Sequence, residues 1–491
     1  MSSRRSALRS LTGAALTPGI LRARRTPGDK PNLLFLWTDQ QRAATFAAYG
    51  NARFHVPNMN RLAAGSVVFD RCYVTQPVCT PSRSSIMTGY WPHTNGCVRN
   101  NIRLSPDRKT LPELLGDSSY RTGYFGKWHL GDEVFPQRGF EEWAAIEDGI
   151  YQTYYSEGRD KNARSAYHHF LLRLGYQPDT PRGFSRGFAA KLPVEHSKPS
   201  FLAQEASRFI LEHRAAPWLL YVNFLEPHTP FSSSLNDLHS EEEAPLDENF
   251  EKIPEGGDCR WYGALRRRYH NGKSEGLDYR TRAGFQRAAR NYAGLCSLVD
   301  QALGRILWSL EASGQAENTI VVYTSDHGEM MGAHGLLYKQ VMYEEAIHVP
   351  LLLRVPFRHQ QPVRVPQPVS HIDTIPTMLE LLGRKDCIGQ QGESMIPILD
   401  GRRKPSDVFL EWTNENKAGG EPNARTVISP DGWKLVLHDS DKPMLFHRPG
   451  DPQELHNLHG HSGHARKLRE LTARIEGWQK RNNDTMPLPE V

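Results

Sequence analysis

The chain lacks several things that would narrow its class at once. No run approaches the eighteen or so consecutive apolar residues of a membrane-spanning helix, so stable membrane insertion is excluded as an expectation. No C-x-x-C pair and no Cys/His zinc spacing occurs. The six cysteines (Cys72, Cys79, Cys97, Cys259, Cys296, Cys387) are too few and too scattered for a disulfide scaffold in 491 residues. There are no internal repeats. A basic surface is also missing, despite a total charge of +5. Residues 1–30 hold seven Lys/Arg against Asp29 alone, a net +6, which leaves −1 for everything after them. Nucleic acid is therefore not an expected partner.

That basic segment carries paired Arg4-Arg5 ahead of the short apolar run L-T-G-A-A-L-T-P-G-I-L. It resembles a twin-arginine export signal, with departures at Ala7, where an aromatic is usual, and at Pro18. Export to the periplasm or beyond is the expectation. The alternative is a disordered basic tail on a cytoplasmic protein.

What is present reads as one large α/β unit over 31–404. Three continuous apolar runs suit strands buried on both faces of a mostly parallel sheet. They are 31–38 (P-N-L-L-F-L-W-T), 218–225 (W-L-L-Y-V-N-F-L) and 319–325 (T-I-V-V-Y-T-S). Each ends on acids, amides or imidazoles: Asp39-Gln40, Glu226-Pro227-His228, and Asp326-His327. Ligands of open α/β sheets bind at that carboxyl edge. Helical spacing is predicted over 281–312 and 372–382, with Pro376 in the latter's first turn. Residues 230–275 are polar and read as an insertion or loop region. Within it, Arg260–His270 is a solvated helix face or the lining of an anion pocket. From about 405 to 491 the texture changes to short strands around a Pro-Asp-Gly turn, then an amphipathic helix from Ala465 to Asn482. A small antiparallel C-terminal subdomain is expected there.

One stretch does not fit a plain strand–turn–helix reading: P-V-C-T-P-S-R-S-S-I-M-T-G, residues 77–89. A structural cysteine favours apolar neighbours, yet Cys79 is followed by Thr80, Pro81, Ser82 and Arg83. Thr80 is a candidate N-cap and Pro81 suits a first helical position, placing Cys79 just before a helix N-terminus. Backbone N–H groups there favour an anion, and Arg83 adds a planar charge one turn in. The setting suits a bound sulfate or phosphate, or a thiolate.

The C-T-P-S-R core and its extension to Gly89 resemble the signature of the sulfatases, members of the alkaline phosphatase superfamily. A second sulfatase-like stretch is S-Y-R-T-G-Y-F-G-K-W-H at 119–129, departing at Ser119 and Phe125. P-N-L-L-F-L, T-S-D-H-G-E at 324–329, L-Y-K ending at Lys339, and D-P-Q-E-L-H-N-L at 451–458 follow in family order. The resemblance covers essentially residues 31–480.

The resemblance implies an alkaline-phosphatase-like fold: a large mixed, mostly parallel sheet flanked by helices, with a small C-terminal antiparallel sheet. It also implies that a separate formylglycine-generating enzyme oxidises Cys79 to an aldehyde whose hydrate is the nucleophile. One hydroxyl attacks sulfur, and the other then loses its proton and expels sulfate. In the family's manner, Asp39, Gln40, Asp326 and His327 would hold a divalent cation with the modified Cys79. Oxygen ligands suit Ca²⁺. Many sulfatases have Asp at the position of Gln40 and Asn at that of His327, so the amide and nitrogen here make Mn²⁺ an alternative. Arg83 and Lys127 would balance charge, His129 would be the base for the elimination, and His228 and Lys339 would contact sulfate and help protonate the leaving oxygen. Asn100 resembles a substrate-contacting position, while Glu329 and His334 are expected to support the site structurally.

The expected substrate is a sulfated carbohydrate, with an aryl sulfate as the simpler alternative. Two competing functions stand beside sulfate-ester hydrolysis. One is a phosphonate monoester or phosphodiester hydrolase of the same superfamily, whose members lack the Lys127-x-His129 pair. The other is a non-catalytic binder of sulfated glycans. Subsite residues are expected from the 140–275 region, where Trp143, Tyr151, Tyr154, Tyr155, Trp261 and Tyr262 could stack on a sugar ring or simply fill the core. The sequence leaves the oligomeric state open.

Overall fold

The computed structural model describes residues 30–148, 156–274, 276–358, 361–384, 389–414 and 420–490. The basic N-terminal segment on which the export expectation rests, Tyr151, Tyr154, Tyr155 and Cys387 lie outside the described residues.

The three apolar runs form adjacent central strands. The first five strands are β1 (Asn32–Asp39), β2 (Val67–Tyr73), β3 (Arg121–Gly126), β4 (Glu142–Ala144) and β5 (Trp218–Pro227). A separate two-stranded pair, β6 (Lys273–Ser274) and β7 (Leu277–Asp278), follows. Then come β8 (Thr319–Ser325), β9 (His348–Val349), β10 (Leu351–Arg354) and β11 (Val363–Ser370). The main sheet is ordered β11-β2-β10-β8-β1-β5-β3-β4, with β9 paired to β2. Pairs β1–β5, β1–β8, β3–β5, β3–β4 and β2–β11 are parallel. Strand β10 runs antiparallel to β2 and β8, and β9 antiparallel to β2. The sheet is mixed and mostly parallel, as expected.

The apolar runs are continuous because both faces of the sheet are covered. In β1, Leu33, Phe35 and Trp37 join one core, while Leu34 and Leu36 join the other. The period-two alternation of a strand thus divides a uniformly apolar sequence between two layers. The second layer is closed by the helices Lys198–Glu212 and Arg282–Ala312, the latter capped by Thr281, whose side chain accepts from the Gly284 N–H. Residues Thr374–Leu381 form the other predicted helix, after a short 3₁₀ turn. The Arg260–His270 segment is a helix that packs into the molecule: Tyr262 and Leu265 are buried, and Arg266 pairs with Asp258.

At the C-terminus, β12 (Val408–Trp412), β13 (Ala424–Ile428), β14 (Trp433–His438) and β15 (Met444–His447) make a four-stranded antiparallel sheet. The predicted helix Ala465–Asn482 lies on it, with Trp478 stacked on Phe409 at 5.5 Å. Backbone and side-chain bonds tie this sheet to the main body: Glu411 N–H to the Thr75 carbonyl at 2.8 Å, and Lys434 Nζ to the Met342 carbonyl at 2.7 Å. Among the described residues no helix is long and apolar enough to cross a membrane.

One glycine controls how closely the strand ends meet. Gly126, at the end of β3, has φ 120°, and a Cβ there would lie 1.8 Å from the Asn223 carbonyl oxygen on β5. This close approach delivers Lys127 to the sheet's carboxyl edge. Gly126→Ala is expected to destabilise the fold by about 3 kcal/mol, read as a lowered midpoint in chemical denaturation. A wild-type midpoint would show that the β3–β5 contact is not so constrained.

Candidate active site

The carboxyl ends of four neighbouring parallel strands, β3, β5, β1 and β8, supply Lys127, Asn223, Asp39 and Asp326 in spatial order. Arg83, fully buried, binds all four positions. Its Nε donates to Asp326 Oδ2 at 2.8 Å and its Nη2 to Asp39 Oδ2 at 2.9 Å. Its Nη1 donates to the Lys127 carbonyl at 2.9 Å and to Asn223 Oδ1 at 2.8 Å. The guanidinium also lies 4.9 Å from the Trp37 ring. Lys127 Nζ reaches Asp39 Oδ2 at 2.5 Å. Burial would raise the Asp39 carboxyl, but Lys127, His228, Arg83 and His327 together hold it well below the usual carboxylate range.

Arg83 is carried by the helix Cys79–Thr88, every residue of which is buried. This helix starts earlier than the sequence suggested. Cys79 is its first residue, Val78 takes the N-cap position in an extended conformation, and Pro81 is third rather than first. Thr80 does not cap, because its hydroxyl is drawn to the His129 carbonyl at 2.9 Å. The orphan N–H of Thr80 goes instead to Asn100 Oδ1 at 2.9 Å. Asn100, expected to contact substrate, thus tethers the helix start.

Cys79 Sγ lies 3.2 Å from His327 Nε2 and 3.8 Å from Asp39 Oδ1. His327 Nε2 is 3.5 Å from Asp39 Oδ1 and 3.6 Å from Asp326 Oδ1. One donor atom from each of Asp39, Cys79, Asp326 and His327 falls within 4.8 Å of all the others, and all four residues are buried. His327 Nδ1 donates to the Gly328 carbonyl at 3.0 Å, which leaves Nε2 facing the cluster. The donor set fits a divalent cation: two carboxylates, an imidazole nitrogen and the Cys79 side chain. Gln40, expected as a further ligand, has its amide spent elsewhere. Its Nε2 donates to Glu329 Oε2 at 2.5 Å and its Oε1 accepts from Lys339. Its backbone N–H meets Asp326 Oδ1 at 3.1 Å. Burial and Asp39 push the Cys79 thiol up, yet Lys127, Lys339 and His327 outweigh them and bring it down to about 7.

Around this centre stand the remaining expected residues. His129 Nε2–H donates to Asn101 Oδ1 at 2.7 Å, which makes Nδ1 the basic nitrogen. Burial, with repulsion from Lys127 and Arg83, holds His129 well below its ordinary value. Glu133 fixes the turn, accepting from the Trp128 and His129 N–H groups at 2.7 Å each. His228 donates Nδ1–H to the Thr229 carbonyl at 2.9 Å, and burial with Lys339 nearby keeps it neutral. Glu329 organises the loop that bears Lys339, accepting from Met331 N at 2.8 Å and Tyr338 N at 2.7 Å. His334 is a supporting residue as expected, stacked on Tyr343 at 3.8 Å. Of the described aromatics proposed for sugar stacking, Trp143 stacks on Tyr124 at 4.9 Å, Tyr262 meets Tyr343 at 5.6 Å, and Trp261 is partly buried against the same core. Left-handed backbone at the non-glycine residues Gln40, His129, Tyr338 and Gln340 concentrates strain at the same edge.

Carboxylates, imidazoles and ammonium groups converging at this edge define an ester hydrolase of alkaline-phosphatase-like architecture. The chain belongs to the sulfatase family: the model described as Sulfatase matches residues 31–384, and that described as N-sulphoglucosamine sulphohydrolase, C-terminal, matches 332–481. It is a sulfuric ester hydrolase. Among its relatives, an N-acetylglucosamine-6-O-sulfatase of Bacteroides thetaiotaomicron is 28% identical, over 93% of this chain and 88% of the relative. Among solved structures, one in complex with its substrate D-glucosamine-2-N,6-O-disulfate has TM-score 0.75 at 23% identity, covering 94% of this chain and 99% of that one. A phosphonate monoester hydrolase of Agrobacterium radiobacter has TM-score 0.76 at 23% identity, covering 92% and 96%.

Asn101, Asn223 and Glu133 were not singled out from the sequence. Asn223 had a signal, being an amide in the middle of a buried apolar strand. Glu226 is a further, partly buried group: its buried Oε2 has no hydrogen-bond partner among the described residues, and desolvation raises its carboxyl to about 7 against the pull of Lys198. With the folded value above the ordinary 4.5, the unfolded chain releases its proton first. Stability therefore falls as pH rises from about 4.5 to 7. Glu226→Gln is expected to match wild type near pH 4.5 and to exceed it by about 3 kcal/mol at pH 8, measured by denaturant titration at both values. An unchanged difference across that range would place the folded Glu226 carboxyl near its ordinary value.

Proposed function

We propose that this sulfatase hydrolyses a sulfate ester of a carbohydrate, using a formylglycine made from Cys79 and a divalent cation held by Asp39, Asp326 and His327. The observation that carries the reading is the convergence of Cys79, Asp39, Asp326 and His327 donor atoms within 4.8 Å, in buried surroundings already neutralised by Arg83 and Lys127. A carbohydrate ester is supported by the relative that acts as an N-acetylglucosamine-6-O-sulfatase. Gln40 stands beside the donor set and would be a further oxygen ligand; oxygen ligands favour Ca²⁺, with Mn²⁺ the alternative suited to His327.

A bound divalent cation supplies Lewis-acid polarisation of a sulfate oxygen, and hydrated formylglycine supplies a hydroxyl nucleophile together with a second hydroxyl from which the aldehyde reforms. The chain's own groups do the rest. The Cys79–Thr88 helix contributes the positive end of its dipole, its Thr80 and Ser82 N–H groups being spent on Asn100 and the Val78 carbonyl. Arg83 fixes both carboxylates so that neither rotates away. Lys127, paired to Asp39, keeps a positive charge at the nucleophile's position. His129 is neutral with Nδ1 basic and takes the proton for the elimination, its ring held by Asn101 and its backbone by Glu133. Lys339 is the standing cation for the leaving oxygen. Burial and Lys339 hold His228 neutral, and the negative charge of a bound ester favours its protonated, donating form.

A second reading, hydrolysis of a phosphonate monoester or phosphodiester, draws on the Asp39-Gln40 and Asp326-His327 pairs and on the fold shared with the Agrobacterium radiobacter enzyme. The Lys127–His129 pair favours sulfate. A non-catalytic glycan binder is disfavoured by the completeness of the cluster.

After co-expression with a formylglycine-generating enzyme, mass spectrometry of the Cys79 peptide is expected to show the aldehyde in place of the thiol. Cys79→Ala is expected to lower sulfate release from 4-nitrophenyl sulfate at least about 1000-fold. Chelation followed by Ca²⁺ or Mn²⁺ add-back should remove and restore activity. Full activity in Cys79→Ala sinks the mechanism, and faster turnover of an aryl phosphonate ester than of any sulfate ester favours the second reading.

A further inference from the structure

The Cys79–Thr88 helix is held by polar partners at both ends, and one residue of the C-terminal sheet takes part at each. Glu411 lies on the edge strand β12 and is fully buried. Its backbone N–H donates to the carbonyl of Thr75, ahead of Cys79, at 2.8 Å. Its side chain reaches past the helix's other end. Glu411 Oε1 accepts from the His93 N–H at 2.7 Å, and Oε2 meets His93 Nδ1 at 2.5 Å. Both routes lead to the residues that follow Arg83. Thr75 Oγ1 donates to Ser85 Oγ at 2.9 Å, and Asn95 Nδ2 donates to Ser84 Oγ at 2.8 Å. Within the helix Thr80, Ser82, Ser84, Ser85 and Thr88 are all buried polar residues, so hydrogen bonds do much to set its position.

The His93 ring lies between two acceptors. Nδ1 faces the Glu411 carboxylate, and Nε2 faces the backbone carbonyl of Asn482 at 3.1 Å. Neither partner can donate, so both ring nitrogens carry hydrogen and the ring is an imidazolium. Asn482 ends the helix Ala465–Asn482, whose last carbonyls have no partner within the helix and carry the negative end of its dipole. Trp478 of that helix meets the ring edge-on at 5.7 Å, while Lys480 and Arg481 in its last turn are exposed. Asp484, just beyond the helix, adds negative charge and is itself paired with Arg425 of β13 at 2.7 Å. Burial works against the charge on His93, yet Glu411, the Asn482 carbonyl and Asp484 outweigh it and hold the ring above its ordinary 6.5.

We propose that Glu411 and a protonated His93 are positioning residues for Cys79: through them the C-terminal sheet and helix grip the Cys79 helix at both ends, and release of the His93 proton slackens that grip. The inference rests on the sulfate-ester reading, in which Cys79 bears the nucleophile, and deepens it. The folded ring keeps its proton to higher pH than the unfolded chain, whose value is the ordinary 6.5. The grip is therefore complete below about 6.5 and is lost as pH rises through the folded value.

Hydrogen exchange of the Cys79–Thr88 peptide in the matured, metal-loaded enzyme, corrected for the intrinsic pH dependence of exchange, tests this without a variant. Protection is expected to fall about 10- to 100-fold between about pH 6 and about pH 9, the worth of a charged hydrogen bond, while peptides of β1 and β8 keep theirs. His93→Gln and Glu411→Gln should lower the protection of Cys79–Thr88 at the acidic end and flatten its dependence on pH. With 4-nitrophenyl sulfate, both variants should lose kcat more than they raise KM, and their deficit against wild type should shrink at high pH. Constant protection of Cys79–Thr88 in wild type across the range overturns the proposal, and so does His93→Gln with wild-type protection at the acidic end. Equal loss of protection throughout the chain, with a lowered denaturation midpoint, would make the pair a mere anchor of the fold and also overturn it. Failure of the underlying reading looks different: the exchange then behaves as expected while no ester releases sulfate, 4-nitrophenyl sulfate included.

Discussion

The site depends on one buried guanidinium. Arg83 spends its donors on two carboxylates, a side-chain amide and a backbone carbonyl contributed by four different strand ends. Leaving any of these acceptors without a partner would cost the desolvation of a buried polar or charged group. A lysine could not replace it, because only a planar fork spans Asp39 and Asp326 while facing Asn223 and Lys127. Since Arg83 rides one turn into the helix that begins at Cys79, the same bond set that orders the strand ends also fixes where the Cys79 side chain lies. Cys79 and the candidate cation ligands are therefore positioned by a single device.

A second layer of constraint holds the loops. Glu329 reaches the backbone of Met331 and Tyr338 with one oxygen and the Gln40 amide with the other. Gln40 in turn holds Lys339. The β1 and β8 ends and the Lys339 loop are thus coupled through one carboxylate lying outside the donor cluster. Glu133 does the same for the Lys127–His129 turn. These carboxylates are buried and engaged by N–H donors, which is what lets strained, left-handed residues such as Gln40 and His129 persist.

Much of this was legible in the sequence, and the boundary is physical. Strands β1, β5 and β8 announce themselves because burial on both faces demands unbroken apolar runs, and the 465–482 helix because its period matches its single buried face. Residues that act through a local motif were also legible: Cys79, Arg83, Lys127, His129, Asp326 and His327 all come to one edge. What failed was anything decided by distant partners. Thr80 has the chemistry of an N-cap, yet its hydroxyl is claimed by His129, 49 residues away, and its N–H by Asn100. Of the pair Asn100-Asn101, the sequence singled out the first, but it is Asn101 that holds the His129 ring. Glu147 takes Arg186 and Lys198 from 39 and 51 residues away, so no spacing could have joined them.

The charge arrangement explains why these parts belong together. Within the centre, Asp39 and Asp326 are matched by Arg83 and Lys127. Two carboxylates already neutralised would be poor hosts for a cation on Coulombic grounds alone. Their value is that a divalent cation, once seated, contributes charge that is not cancelled. That surplus, with Lys339, would face the position a sulfate would take. The protein thus keeps its core neutral enough to fold without substrate and reserves net positive potential for the loaded site.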